Sequence, residues 1–288
     1  MKAYTYYPGC SIKGTGKGYE ESLLAVFNEF EIPLIELEDW NCCGATNYMN
    51  IDEITAFTLS ARNLVIAKKE NRDLAVPCSA CFLNLKKTGD YVEKYPEIGQ
   101  KVKHALHAGG LDYNGSPEIR HPLLIILEDI GEKGIKAKIK KSLRGLKAVP
   151  YYGCQIVRPY NEGFDTRYPD FFDEFLSYLG ADVVDYPYKT RCCGGSLTGT
   201  LEEVGIRLNY LLLDEARKQG GDCIVTLCPL CHFNLECYQD KINKKYHSSL
   251  SVPVLYFSQI LGIAMGIPAS KLGLKRSLVN LKPMLSEA

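Results

Sequence analysis

Ten of the twelve cysteines fall into two sets of five that repeat along the chain. The last four members of each set are 150 positions apart in every case, and 34 residues separate the adjacent cysteine pair from the following Cys-x-x-Cys in both sets. Such self-similarity indicates an internal duplication, which constrains the fold more than any local pattern. The first set is Cys10, Cys42, Cys43, Cys78 and Cys81, and the second is Cys154, Cys192, Cys193, Cys228 and Cys231.

Short apolar or aromatic runs lead into cysteines in both halves. Tyr6–Cys10 is echoed by Tyr151–Cys154, and Leu74–Cys78 by Ile224–Cys228. These runs predict buried strands that deliver a cysteine from their C-terminal ends. Further strands are predicted at 34–37 and 181–184, ahead of each Cys-Cys-Gly.

Helical patterns lie between the predicted strands, at 20–30, 53–69, 171–179 and 201–218. Alternating strands and helices predict an α/β fold with two lobes related by a pseudo-twofold axis, each a mainly parallel sheet with flanking helices. Ligands of such sheets bind outside the carboxyl ends of the strands, where the cysteines are expected. The predicted domains are a first lobe at 1–120, a connection at 121–147 that belongs to a polar, irregular stretch from 101, and a second lobe at 148–288.

The uncharged stretch Ser248–Ser270 tests whether the chain crosses a membrane. Only 14 residues separate its two prolines, Pro253 and Pro268, and a helix of that length is too short to span about 30 Å of hydrocarbon. We therefore predict a buried apolar helix in the C-terminal part of the second lobe, and no transmembrane segment.

Charge and cysteine content narrow the class of protein. Lys+Arg and Asp+Glu number 34 each, so there is no basic excess of the kind that nucleic-acid binding requires. The N-terminal residues show no secretory signal, which predicts a cytoplasmic location. Because cytosolic thiols are kept reduced, the cysteines are expected to bind metal or perform redox chemistry rather than form disulfides.

Five cysteines in each half exceed the four ligands of a tetrahedral zinc site. An adjacent pair such as Cys42–Cys43 points its side chains in divergent directions, which suits several metal atoms, and iron-sulfur clusters prefer thiolate ligands. The glycines after each pair, Gly44 and Gly194–Gly195, let the backbone approach inorganic sulfide. An iron-sulfur site is the favoured interpretation, and zinc or plain buried or disulfide-bonded cysteine remain alternatives.

The doubled Cys-Cys-Gly pattern resembles the catalytic, B-type subunit of heterodisulfide reductase and its relatives, over nearly the whole chain. The resemblance implies an oxidoreductase acting on sulfur groups, in which two non-cubane [4Fe-4S] clusters convert disulfide and thiol reversibly by one-electron steps. It also implies that each set of five cysteines holds one cluster. From the residues alone, zinc in one of the two sites stays the alternative. None of the ten positions is missing.

A second function is left open, because the Cys-Cys-Gly module also occurs in electron-transfer subunits of flavin-dependent 2-hydroxy acid, glycerol-3-phosphate and succinate oxidoreductases. The chain has no ferredoxin-like cysteine run, Gly-x-Gly-x-x-Gly or Walker sequence. It is therefore expected to receive electrons from iron-sulfur and flavin subunits of a heteromeric complex, in the cytoplasm or attached to the membrane through such a partner.

Basic residues near the second cysteine set are candidates for binding the tail of a small anionic thiol or disulfide. These are Arg158, Lys189 and Arg191, with ordinary solvation as the alternative. Cys223 and Cys237 lie outside the repeat and are interpreted as small buried hydrophobic residues. His232 follows a predicted ligand and is interpreted as a structurally satisfied histidine rather than a donor to a cluster or substrate.

Overall fold

The fold was analysed in a computed structural model that describes residues 2–45, 47–160 and 163–281. The first half contains four strands, β1 to β4, and five helices, α1 to α5. In chain order they are β1 (Tyr4–Tyr6), α1 (Gly9–Lys13), α2 (Lys17–Glu29), β2 (Leu34–Glu36), α3 (Glu53–Lys69), β3 (Leu74–Ala75), α4 (Ser79–Lys94), α5 (Pro96–Ala108) and β4 (Ile119–Arg120).

Two helices join the halves, and the second half then repeats the first. The joining helices are α6 (Pro122–Ile125) and α7 (Gly131–Lys138), with a π-helical turn between them. The second half contains β5 (Lys147–Tyr151), α8 (Phe171–Tyr178), β6 (Asp182–Val183), α9 (Leu197–Thr200), α10 (Glu202–Lys218), β7 (Cys223–Thr226), α11 (Pro229–Cys237), α12 (Gln239–Tyr246), β8 (Val254–Tyr256) and α13 (Phe257–Ala264).

Each half contains one parallel sheet of four strands, in the order β2-β1-β3-β4 and β6-β5-β7-β8. The two orders are the same when β1 to β4 are matched, in chain order, with β5 to β8. The predicted α/β fold with two similar lobes is therefore confirmed. The sequence indicated three strands per half, whereas the structure has a fourth edge strand in each. β4 lies in the stretch that was expected to be irregular, and β8 lies in the uncharged stretch that was interpreted as a helix.

The stretch 101–147 is not irregular as we expected. It contains most of α5, all of α6 and α7, and the strand β4. His121 and Leu123 are fully buried there, because the joining helices cover the core instead of crossing solvent. The first sheet ends at Arg120 and the second begins at Lys147, while the proposed domain boundaries stay a prediction.

Two hydrophobic clusters contain residues of both halves, and α2 packs against α13 in the first of them. The hydroxyls of Ser22 and Ser258 hydrogen-bond at 2.7 Å across this contact, and the rings of Tyr19 and Tyr256 stack with centroids 4.2 Å apart. α13 is the predicted buried C-terminal helix, preceded by β8. No helix within the described residues combines the length and the apolar character that crossing a bilayer requires.

Candidate metal centre

All ten cysteines of the repeat line one cavity of about 300 Å³. The strands β1, β3, β5 and β7 end next to it, which places the cysteines at the carboxyl ends of both sheets, as parallel sheets favour. Cys10, Cys42 and Cys192 are exposed at the cavity, whereas Cys78 and Cys228 are buried. The remaining lining consists of Ser11, Ala45, Ala80, Gln155, Gly194, Gly195, Ser196 and Leu230.

The ten sulfurs form two series with the same order. The first is Cys10, Cys42, Cys43, Cys81 and Cys78, in which neighbouring thiols shift one another's pKa and the sulfurs of Cys43 and Cys81 hydrogen-bond at 3.1 Å. The second is Cys154, Cys192, Cys193, Cys231 and Cys228, in which the sulfurs of Cys193 and Cys231 lie 3.6 Å apart. The two series come together at Cys78 and Cys228, since each of these thiols shifts the pKa of the other.

A buried tyrosine supports the peptide ahead of each adjacent cysteine pair. Tyr7 donates a hydrogen bond to the carbonyl oxygen of Asn41 at 2.7 Å, and Tyr151 donates one to that of Arg191 at the same distance. Both tyrosines are fully buried at the ends of their strands. The hydroxyls therefore fix where the backbone enters each Cys-Cys-Gly.

Two glycines give the sulfurs room. Gly9 and Gly153 have φ angles of +72° and +70°, which side chains rarely adopt. A Cβ atom on either would lie 3.1 Å from the sulfur of Cys81 or Cys231, respectively. Both positions therefore require glycine for their conformation and for the close approach of a sulfur.

The N-termini of two helices face the cavity. Cys78 and Cys228 are the N-cap residues of α4 and α11, and Cys81 and Cys231 lie in the first turns. The backbone N–H groups of Leu230 and Cys231 donate to the sulfur of Cys228 and help to hold its pKa well below the usual value, although the largest cause is the hydrogen bond from Cys231's thiol. Free N–H groups and the helix dipole stabilise thiolates at these ends.

Asparagines brace the adjacent cysteine pairs, and here the halves differ. Asn84 donates a hydrogen bond from Nδ2 to the carbonyl oxygen of Cys43. Asn234, at the equivalent position, places its Nδ2 3.4 Å from the sulfur of Cys193 and 2.9 Å from the carbonyl oxygen of Gly195. The second half thus has a side-chain N–H directed at the sulfur of Cys193.

The sulfurs are too crowded to be thiolates together without added positive charge. Hydrogen bonds from Cys10 and Cys43 lower the pKa of Cys42 to about 2, while the bond to Cys42 raises the pKa of Cys43 to about 12. Cys192 and Cys193 show the same opposed shifts in the second half. A cationic group in the cavity would let the remaining thiols ionise and act as ligands.

The donor set fits a polynuclear, sulfur-loving group. No carboxylate or imidazole is among the described residues that line the cavity, so it lacks the ligand types that Mg²⁺ and Ca²⁺ prefer. Within the described ranges, no three Cys, His, Asp or Glu side chains converge as the ligands of one metal ion would. Five sulfurs per half that surround a space suit an iron-sulfur cluster better than one tetrahedral zinc ion.

Where the two sulfur series meet, two side chains join the lobes. The hydroxyl of Tyr19 lies 3.3 Å from the carbonyl oxygens of Pro77 and Leu227, and Nε2 of His121 lies 3.0 and 3.2 Å from the same two oxygens. Both carbonyls directly precede cysteines of the series. His121 is neutral, since burial lowers its pKa to about 4, and it donates from Nε2.

The basic residues predicted to bind substrate are placed differently from one another. Arg191 is exposed beside Cys192, and Arg158 is close enough for its charge to help lower the pKa of Cys192. Lys189 is 3% exposed, pairs with Asp173 at 3.0 Å and does not line the cavity. The position of Lys189 argues against contact with a substrate.

The two cysteines outside the repeat and the histidine next to Cys231 pack against other parts of the protein. Cys223 is fully buried in β7, and Cys237 is half-buried at the end of α11. His232 is also buried, stacks on Tyr256 and has Nε2 3.0 Å from the carbonyl oxygen of Val254. These placements agree with the interpretation of His232 as a satisfied histidine.

Sequence reasoning missed the supporting residues around the cysteines. Asn84 and Asn234 are 150 positions apart, so the spacing that identified the cysteines could also have identified them. The equivalent tyrosines, Tyr7 and Tyr151, each stand three residues before the first cysteine of a set. Tyr19 and His121 have no such signal, since the carbonyls that they join lie far away in sequence.

Comparison with known proteins identifies the repeated unit. Residues 4–86 and 148–236 each match the family model described as a cysteine-rich domain, and the matches together cover more than half of the chain. A hypothetical protein from Helicobacter pylori has a similar structure, with a TM-score of 0.77 at 18% identity. That match covers 97% of this chain and 52% of the other, and it concerns the fold alone.

The relatives that match over nearly their full length are named as subunits of two kinds of reductase. The chain is 31% identical to the 8-methylmenaquinol:fumarate reductase membrane anchor subunit of Wolinella succinogenes, over 97% of this chain and 98% of the relative. It is also 31% identical to the B-type subunit of the ferredoxin:CoB-CoM heterodisulfide reductase of Methanosarcina mazei, over 97% and 95%. A protein of Archaeoglobus profundus that is named for its likeness to the same B-type subunit is 28% identical over 94% and 93%. The chain therefore belongs to the family of proteins with a duplicated Cys-Cys-Gly cysteine-rich domain that includes the B-type subunit of heterodisulfide reductase.

Proposed function

We propose that this chain is the catalytic iron-sulfur subunit of a complex that interconverts a disulfide and two thiols. Two sets of five cysteines that share one cavity and meet at Cys78 and Cys228 carry the proposal. Each set would hold one non-cubane [4Fe-4S] cluster. The full-length similarity to proteins named as B-type subunits of heterodisulfide reductase supports the same reaction class.

The reaction cleaves one S–S bond with two electrons and yields two thiolates, which two protons convert to thiols. When bound, the clusters supply electrons singly and offer iron atoms to thiolate sulfur. The electrons come from an iron-sulfur or flavin subunit, since the chain has no nucleotide-binding motif of the known kinds. We also propose a cytoplasmic location, with any membrane attachment made through a partner subunit.

The protein's own residues hold and shape the site. Tyr7 and Tyr151 fix the backbone at the two cysteine pairs, and Gly9 and Gly153 leave space for the sulfurs. Because residues of both lobes pack in common hydrophobic clusters, the two cysteine sets keep a fixed separation. The two sulfurs of a disulfide can therefore meet equivalent sites on either side of the cavity.

A second candidate function rests on the relative from Wolinella succinogenes. Its name joins it to a fumarate reductase that uses a methylated menaquinol, and the similarity covers nearly both chains. On this alternative, the chain passes electrons between subunits and no disulfide is cleaved. The same ten cysteines would hold the clusters.

Anaerobic purification with native partners tests the proposal. We expect about eight iron atoms per chain, paramagnetic signals that change when a thiol is added, and thiol release from a disulfide with reduced viologen as donor. An electron relay would be reduced by viologen and release no thiol from any disulfide. Stoichiometric zinc without iron would contradict both functions.

A further inference from the structure

Two equivalent carbonyl groups lie close together at the boundary between the halves. They belong to Pro77 and Leu227, which are 150 positions apart, and each directly precedes a buried cysteine of its set. Because a planar peptide bond joins each carbonyl to the next residue, the position of the carbonyl determines where Cys78 or Cys228 enters the cavity. Buried carbonyl oxygens also need hydrogen-bond donors. The donors at this point therefore bear on both cysteine sets.

Two fully buried side chains supply hydrogens that both oxygens share. The hydroxyl of Tyr19 lies 3.3 Å from each oxygen. Nε2 of His121 lies 3.0 Å from the oxygen of Pro77 and 3.2 Å from that of Leu227. The hydroxyl of Ser79 adds a longer bond, of 3.4 Å, to the oxygen of Leu227. We call the two carbonyls and the side chains of Tyr19 and His121 the clasp.

The surroundings hold both donors in place. The ring of Tyr19 stacks on that of Tyr256, with centroids 4.2 Å apart. Nδ1 of His121 accepts a hydrogen bond from the backbone N–H of Leu123 at 3.3 Å, which leaves the proton of the neutral ring on Nε2. Each donor is therefore directed at the carbonyls by a second contact of its own.

The repeat provides the two acceptors, whereas the donors are specific to one copy. In the registers of the two sheets, Arg120 of β4 corresponds to Leu255 of β8, so His121 corresponds to Tyr256. Tyr256 stacks on Tyr19, whereas His121 donates to both carbonyls. The two copies thus differ at the position from which the clasp is closed.

We propose that Tyr19 and His121 are positioning residues that set the separation of the two iron-sulfur sites. This inference rests on the proposal that each cysteine set holds a cluster. Two electrons must reach one S–S bond, so both sites must lie at a suitable distance from it together, and a misplacement of about 1 Å can lower a rate about 100-fold. The hydrophobic clusters bring the lobes together, and the clasp fixes the peptides that carry Cys78 and Cys228.

The test removes the shared hydrogens one at a time. Tyr19→Phe keeps the stacked ring and loses the hydroxyl. His121→Asn keeps an acceptor for the N–H of Leu123 and lacks a donor at the position of Nε2, which His121→Gln restores. Tyr186→Phe is the matched control, because the hydroxyl of Tyr186 is also fully buried and bonds at 2.8 Å to the carbonyl oxygen of Leu212, within the second half.

The first measurement is the magnetic interaction between the two clusters in the reduced complex, by electron paramagnetic resonance at equal iron content. In the unaltered protein, each paramagnetic centre should split the signal of the other. Tyr19→Phe with His121→Asn should lose part of this splitting, because dipolar interaction falls with the cube of the distance. Tyr19→Phe with His121→Gln should recover it, and Tyr186→Phe should not change it. Absence of splitting in the unaltered protein, or full splitting in the double variant with asparagine, would overturn the proposal.

The second measurement is denaturant unfolding of the same variants. Because two donors share two acceptors, loss of either leaves the other in place, and each single variant should lower the folding equilibrium constant about threefold. The double variant with asparagine removes both shared donors. Its effect should exceed the product of the two single effects about tenfold. Effects that simply multiply would show that the two donors act independently and would contradict the clasp.

Disulfide cleavage, measured in parallel, separates this inference from the proposed reaction. A splitting that depends on the clasp, in a complex that releases no thiol from a disulfide, supports the clasp and contradicts the reaction. Disulfide cleavage at an unchanged rate in the double variant with asparagine would overturn the clasp and leave the reaction class standing. Zinc in place of iron would contradict both, because no pair of paramagnetic centres would exist.

Discussion

Cys78 and Cys228 lie together in one cavity where the two halves meet, and each is the N-cap of the helix that follows its strand. This contact makes one site of two otherwise separate ones. Hydrogen bonds from Tyr19 and His121 to the preceding carbonyls hold the two peptides together from the core. The duplication therefore produces a shared cavity rather than two distant metal sites.

Replacing a cysteine of one set should remove about half of the iron. Cys78→Ser deletes a soft thiolate ligand of the first set, and Cys228→Ser deletes the equivalent ligand of the second. Cys223→Ser is the control, because Cys223 is buried in β7 and outside the cavity. Iron and sulfide analysis after anaerobic purification measures the effect, and full iron content in both ligand variants would contradict the assignment.

Removing the hydroxyl of Tyr7 or Tyr151 should destabilise the protein by about 1–3 kcal/mol. Phenylalanine at either position keeps the ring but removes a donor to the carbonyl oxygen ahead of a cysteine pair. The carbonyl oxygen of Asn41 keeps a bond from Nδ2 of Asn63 at 3.0 Å, so the effect at Tyr7 should be the smaller of the two. Tyr178→Phe is the control, since Tyr178 bonds to Glu174 at the surface, and it should change stability by no more than about 0.5 kcal/mol. Denaturant unfolding compares the three variants, and an effect of Tyr151→Phe no larger than that of Tyr178→Phe would contradict a stabilising role of the buried hydroxyl.

Much of this arrangement could be predicted from the sequence. The features that could not be predicted depend on contacts between residues far apart in the chain. Cysteine spacing predicted the duplication, and periodicity placed α3 at the observed residues. Lys189 was a candidate because it neighbours Cys192 in sequence, yet its side chain turns inward to Asp173. Tyr19 reaches a carbonyl 208 residues away, and no local pattern encodes such a contact.

Alanine at Gly9 or Gly153 should destabilise the folded protein more than alanine at a glycine with open space around it. Each has a positive φ and a cysteine sulfur 3.1 Å from the added Cβ, so both backbone strain and displacement of the sulfur are expected. Gly110→Ala is the control, because its φ is +76° and nothing lies within 4 Å of the Cβ. Unfolding and iron content are measured together, and Gly9→Ala should lose iron whereas Gly110→Ala should only lose stability.

Asn234→Ala should lower the reduction potential of one paramagnetic centre. Its Nδ2 is 3.4 Å from the sulfur of Cys193, and an N–H group directed at a ligand sulfur favours the reduced, more negative state. Asn84→Ala is the matched control, since Asn84 donates to the carbonyl oxygen of Cys43 instead. Spectroscopic redox titration distinguishes the two, and unchanged potentials in Asn234→Ala would contradict a tuning role.

Glu236 should make the protein less stable as the pH rises from about 4.5 to about 7. Burial raises the pKa of its carboxyl to about 7, against the bonds that it accepts from the backbone N–H groups of Leu278 and Val279. The carboxyl is thus harder to ionise in the folded protein than in the unfolded chain, so stability is full below the unfolded pKa and declines until the folded pKa is passed. His232, whose Nδ1 is 3.6 Å from the carboxyl, has a pKa lowered to about 4 by burial and stays neutral over this range.

Glu236→Gln keeps an acceptor for the two N–H groups and cannot ionise. In the unaltered protein, a pKa shift of this size implies that the free energy of unfolding falls by up to about 3 kcal/mol between these pH values. In Glu236→Gln this decrease should be absent. Glu203→Gln serves as the control, because the Glu203 side chain is 92% exposed and pairs with Lys245 only at 3.5 Å. Denaturant unfolding at several pH values gives the two profiles, and a decline of equal size in Glu236→Gln and the unaltered protein would assign the pH dependence to another group.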